Sequence, residues 1–134
     1  MPGTTESSYP QDWFRIAAED LRRVRRRLEE GDIDDAAFRL QQAIEKYLKG
    51  YLLRRGWPLQ RIHDVEALLS EAIRHDRKLE AYRPLCRQVA NYYLIERYPF
   101  IEEGPGREEV QEAYRAARAL VARLAPHRRR HRQG

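Results

Sequence analysis

Residues 33–55 read IDDAAFRLQQAIEKYLKGYLLRR, and this stretch decides the fold. Ile33, Ala36, Ala37, Leu40, Ala43, Ile44, Tyr47, Leu48, Tyr51 and Leu52 recur at three- and four-residue spacing. That is the pattern of one buried helical face. Asp32 stands where an N-cap belongs, and Asp34 and Asp35 suit the positive end of the helix dipole. Gly56 and Pro58 stop the helix. At ~1.5 Å per residue it spans about 34 Å, the length of a small bundle.

The same periodicity extends on both sides. Upstream, residues 12–30 place Trp13, Ile16, Ala17, Leu21, Val24 and Leu28 on one face, with Asp12 as cap and Gly31 as stop. Downstream, a third helix starts at His63 or Asp64, runs to about Arg74, and buries Val65, Leu68, Leu69, Ala72 and Ile73. The stretch 76–83 is ambiguous. Pro84 fits the first turn of a helix and not its interior, so a fourth helix begins near Arg83. An earlier start near Leu79, with a kink, stays open. Leu85, Cys86, Val89, Ala90 and Tyr93 face inward on this helix, which ends before Pro99. Gly104, Pro105 and Gly106 mark a loop, and a fifth helix covers about 108–125 on Val110, Ala113, Tyr114, Ala117, Leu120, Val121 and Leu124. Pro126 ends it. Short loops favour antiparallel neighbours. The expected fold is all-α, an up-and-down antiparallel four-helix bundle with an additional helix. It occupies residues 12–125, between a flexible N-terminus (1–11) and a basic disordered tail (126–134).

Composition narrows the setting. A chain of 134 residues reads as one domain. Cys86 is the lone cysteine, which excludes an internal disulfide framework and suits a small core residue. Charged residues make up 35% of the chain, and no apolar run approaches the ~20 residues of a membrane span. Residues 1–9 lack the apolar core of a signal peptide, so a cytoplasmic protein without membrane contact is expected. Of the net charge of +5, the tail supplies four units through Arg128, Arg129, Arg130 and Arg132. The remainder is nearly neutral. The tail reads either as a weak nucleic-acid contact through phosphates or as a solubilising end. Arg22, Arg23, Arg25, Arg26 and Arg27 form a basic block on the first helix, closely flanked by Glu19, Asp20, Glu29 and Glu30. Those acids favour a salt-bridged, solvated face.

Three pieces carry the functional reading: Gln41 to Lys49 (QQAIEKYLK), His63-Asp64, and Tyr92 to Pro99 (YYLIERYP). In that order they resemble the HEPN family of small helical domains, over roughly residues 12–125. The resemblance implies a bundle of the kind read above. It also implies a homodimer, a minimal nucleotidyltransferase as partner, in some cases a toxin–antitoxin setting, and a polar cleft for a nucleotide. The nucleotide- or phosphate-binding candidates are Arg97, Tyr98, Lys46, His63, Gln42 and Lys49. An arginine offers a planar fork to a phosphate, and a tyrosine offers a face for a base. Gln42, Glu45, Lys46 and Lys49 share one helix flank at i, i+3, i+4 and i+7. That flank is either one wall of a pocket with Arg97 or a solvated face with an ordinary Glu45–Lys49 pair. Arg97 alternatively pairs with Glu45 and fixes the loop. His63 reads as a titratable group at a cleft or as a cap or interhelix hydrogen bond.

Catalysis is not expected. HEPN ribonucleases carry an arginine and a histidine with four to six residues between them, for charge stabilisation and proton transfer. No arginine here precedes His63, His75, His127 or His131 at that distance. No catalytic residue, metal ligand or cofactor is therefore assigned. His127 and His131 have i,i+4 spacing but no carboxylate or cysteine beside them. The alternative is a ribonuclease toxin of a toxin–antitoxin pair with a non-standard Arg97/His63 site. Trp13, Tyr92, Tyr93, Leu94 and Phe100 are a surplus of apolar groups that marks an interface if one bundle leaves them uncovered.

Overall fold

The computed structural model describes residues 6–94 and 104–126. Helix α1 (Pro10–Glu30) starts two residues before the position expected from Asp12. Pro10 takes the first turn, where its fixed φ fits and its missing N–H costs nothing. Asp12 is therefore not the cap. It sits inside the first turn and accepts a hydrogen bond from Ser7 Oγ at 2.7 Å. Along α1, Phe14 is buried, whereas Ile16 falls on the outer flank and is 37% exposed. Gly31 closes the helix at φ 82°, a left-handed conformation that favours glycine. Its N–H reaches Leu28 O at 3.1 Å, and Asp32 N reaches Arg27 O at 2.9 Å.

Asp32 then caps α2 (Ile33–Arg54), accepting from Asp35 N at 3.2 Å. The tight link at Gly31 and Asp32 forces α1 and α2 into an antiparallel hairpin. Contacts along it run in opposite senses: Arg27 to Asp35, Asp20 to Lys46, and Phe14 to Tyr47. The helices approach closely at Gly50, where an added Cβ would stand 2.9 Å from Phe14 Cε1. Leu40, Ile44, Leu48 and Leu52 of α2 are fully buried, so α2 is the axis around which the other helices pack.

After α2 the chain runs back as a non-helical strip. His63 ends up beside Glu45, whereas His75, beyond α3 (Val65–Ile73), packs edge-on to Tyr51 at 6.5 Å. Helix α3 thus follows the same direction as α2, and the returning strip supplies the ascending leg of the up-and-down course. Asp64, not His63, caps α3, accepting from Glu66 N at 2.9 Å. The ambiguous stretch folds as a 3-10 helix (Arg77–Tyr82) capped by Asp76. It leads directly into α4 (Arg83–Val89), with Pro84 in the first turn. Ala90 to Tyr93 are turns, and Tyr93 is only half-buried rather than in the core.

Helix α5 (Arg107–Leu124) closes the bundle. Arg107 Nη1 donates to Leu28 O at 2.9 Å and ties its start to the end of α1. Arg123 lies 3.7 Å from Asp76 and holds its far end to the 3-10 helix. Among the described residues the result is an all-α bundle with five α-helices and no strand. Trp13 and Tyr92 are 8% and 6% exposed, so one chain covers them and they do not mark an interface. Phe100 and residues 127–134 lie outside the described residues. No described helix is long and apolar enough to cross a membrane.

Candidate functional site

Gln41, Glu45 and Lys49 stand one turn apart on α2, and all three are buried. Lys49 is fully enclosed. Its Nζ is 3.1 Å from Glu45 Oε2 and 5.2 Å from the centre of the Trp13 ring. Gln41 Nε2 donates to Glu45 Oε1 at 3.1 Å and to His63 O at 3.3 Å, and Gln42 Nε2 donates to Gln41 Oε1 at 2.7 Å. His63 Nδ1 lies 2.9 Å from Glu45 Oε2. One carboxylate therefore faces an ammonium, an amide and an imidazole, which is what a buried charge needs to be tolerated. The surface-type i,i+4 pair allowed by the sequence is instead an interior ion pair.

His63 is where this cluster meets solvent, with its side chain 60% exposed. Donation from Nδ1 to Glu45 fixes the ring, and the lone pair of the neutral imidazole then lies on Nε2. His63 is thus not the cap of α3, and it makes a hydrogen bond across to α2. It is an oriented imidazole backed by a buried carboxylate.

Lys46, beside this cluster on the same flank of α2, reaches across to α1. Its Nζ is 2.6 Å from Asp20 Oδ2 of α1. Asp20 is 2% exposed, and Arg39 and Arg23 approach its other oxygen at 3.7 and 3.9 Å. The flank of Gln42, Glu45, Lys46 and Lys49 is therefore tied up in contacts within the chain and is not simply a solvated face. Glu45 faces His63, Lys49 lies between Glu45 and Trp13 of α1, and Lys46 serves Asp20. The sequence reading placed Asp20 on a salt-bridged, solvated face, whereas it is buried and continues the Trp13, Ala17, Val24, Leu28 stripe. An acid on a buried stripe is the signal that identifies such a partner.

Arg97 and Tyr98 lie outside the described residues. Glu45, the alternative partner for Arg97, has Lys49, His63 and Gln41 around it. A second charged locus joins α3 to α4. Arg87 Nη2 and Arg83 Nη1 approach Glu66 Oε2 at 2.8 and 3.4 Å. The hydrogen bond from Arg87, reinforced by Arg83, holds the Glu66 carboxyl below its ordinary value. At the start of α5, Glu109 accepts from the Tyr92 hydroxyl, and burial together with that bond raises the phenol well above its ordinary range. On α1 the basic block is partly paired: Arg23 with Asp20, Arg25 with Glu29, and Arg27 with Glu30 and Asp35. Among the described residues no three His, Cys, Asp or Glu side chains gather as metal ligands.

Among the described residues, a helical hairpin with a buried polar ladder is packed against three further α-helices. The HEPN domain family model matches residues 10–127, and the chain belongs to that family. The fold is also that of a solved archaeal HEPN homologue, with a TM-score of 0.68 and 22% identity. The match covers 87% of this chain and 94% of that one. No curated protein gives a significant match.

Proposed function

We propose that this HEPN chain is a binding and assembly module: a homodimer that works with a minimal nucleotidyltransferase and holds a nucleotide through its phosphates. His63, Lys46, Arg97 and Tyr98 are the contacting groups in this reading. Gln42 and Lys49 support them from behind, through Gln41 and Glu45. The observation that carries the reading is that the interior charges of α2 neutralise one another. Glu45 and Lys49 form one pair inside the bundle, while Lys46, paired with Asp20, keeps its side chain 22% exposed at the edge where a phosphate would lie. The sequence also has no arginine and histidine at the ribonuclease spacing. The dimer and the nucleotidyltransferase partner rest on the family resemblance. A thermal-shift titration with ATP tests the ligand: the melting point rises for the wild-type chain and not for Arg97→Ala. A chain indifferent to ATP and to other nucleoside triphosphates overturns the nucleotide reading.

A second reading is a ribonuclease toxin, and the orientation of His63 by Glu45 favours it. An oriented imidazole next to a guanidinium is the minimum for cleavage at a 2′-hydroxyl. It predicts RNA cleavage that disappears in His63→Ala. An RNA substrate left intact by the wild-type protein overturns it.

A further inference from the structure

We propose that the groove between α1 and α5 binds the phosphodiester backbone of a single-stranded nucleic acid. Arg25, Arg107, Arg115 and Arg118 line it around Tyr114, against a single acid, Glu29. Outside the tail the chain is nearly neutral, so this is a local concentration of positive charge and not a general property of the surface. The partners of these arginines set them apart. Arg83 and Arg87 are held by Glu66, and Arg27 by Asp35 and Glu30. Arg115 and Arg118 are exposed and have no carboxylate within 4 Å among the described residues. Arg25 meets Glu29 at 3.5 Å with both side chains about two-thirds exposed or more, a pair too weak to hold it against a phosphate. Arg107 is steadied by its bond to Leu28 O, which uses one of its five N–H donors.

The geometry fits a strand laid along the groove. Arg107, Arg115 and Arg118 share one face of α5, over about 16 Å of helix axis. Guanidinium forks match pairs of phosphate oxygens, and they do so without reading sequence. The Arg118 guanidinium lies 6.0 Å from the centre of the Tyr114 ring, so an aromatic face stands among the cations. Cationic tracks with interleaved aromatic rings are the pattern of single-strand binding. A duplex would use the arginines and leave the ring idle. The groove involves neither His63 nor α2, so it stands independently of the nucleotide reading.

The test is fluorescence anisotropy of the full chain with a short labelled oligouridylate and its deoxy counterpart, at several salt concentrations. Contacts from three or four arginines to a single strand predict a log–log salt slope of about −2 to −3. Arg115→Ala with Arg118→Ala is expected to weaken binding by about tenfold or more and to flatten the slope by about 1 to 1.5. Both residues are exposed, so the variant is expected to keep its helical circular dichroism. Equal binding of the ribo and deoxy strands identifies the backbone as the ligand, and a ribo-only response narrows it to RNA. Unchanged affinity in the double variant, loss only when Arg128, Arg129, Arg130 and Arg132 are replaced by alanine, or equal competition by polyglutamate overturns the proposal.

Discussion

Lys49 shows what a single side chain contributes to this molecule. An ammonium with no solvent exposure is tolerated because Glu45 lies 3.1 Å away and Trp13 offers its ring face. Removing one member of a buried pair leaves the other uncompensated, typically at about 3–5 kcal/mol. Lys49→Met is expected near the low end, since His63 and Gln41 still reach Glu45. Urea denaturation should show the midpoint falling, and Lys49→Met with Glu45→Gln should recover part of the loss. A double variant as unstable as the sum of the single ones contradicts the pairing. Cys86 is governed by burial too, which pushes its thiol up to about 12. It is expected to ignore thiol reagents at neutral pH and to react only once the chain unfolds. The two shifted groups near α4 give opposite pH limbs. Glu66 is lowered in the folded state, so its contribution is present above the ordinary carboxylate range and lost as pH falls through the lowered value. Tyr92 is raised, so its contribution is present below the ordinary phenol range and lost as pH climbs toward the raised value. Tyr92→Phe should flatten the alkaline limb of a melting-point profile and leave the acid limb unchanged.

The α1–α2 hairpin is the element on which the rest depends. Its turn needs Gly31 in a left-handed conformation and Asp32 as cap, and its packing needs no side chain at residue 50. Gly50→Ala is expected to push the Phe14 ring aside and cost about 1–3 kcal/mol, measurable as a lower denaturation midpoint. A neutral result would mean that the helices lie farther apart than described. The helices themselves were legible in the sequence because their apolar stripes are long and their stops are glycines and prolines. Ile33, Asp32 and Gly56 bound α2 as read. Three features were not legible. The start of α1 passed to Pro10, because a proline at the first turn outweighed a capping acid. The 3-10 helix before Pro84 has too short a period to separate from a loop. The parallel course of α3 depends on His63 reaching back to Glu45, a contact between residues far apart in sequence.

At the scale of the molecule, the interior and the surface divide the work. The interior fixes a HEPN bundle in which α2 carries its charges inward, and the surface is left with His63 at the edge of that cluster and the basic groove along α5. The site was half legible. His63 came from the family resemblance and the α2 polar residues from their spacing, but helix periodicity alone could not say that Lys49 is fully buried against Glu45 and Trp13 while Lys46 pairs with Asp20. It also could not say that Asp20 fills the place of one partner. Arg97 and Tyr98 remain the sequence's contribution to the proposed ligand site, so a functional test centres on them. Assembly is the property on which the proposed role depends, because a module that joins a second copy and a nucleotidyltransferase must first self-associate. The most direct test is the mass of the purified chain in solution by light scattering with ATP present. The account predicts a dimer, at twice the chain mass of 16.0 kDa. A species of one chain mass across the concentration range would contradict it.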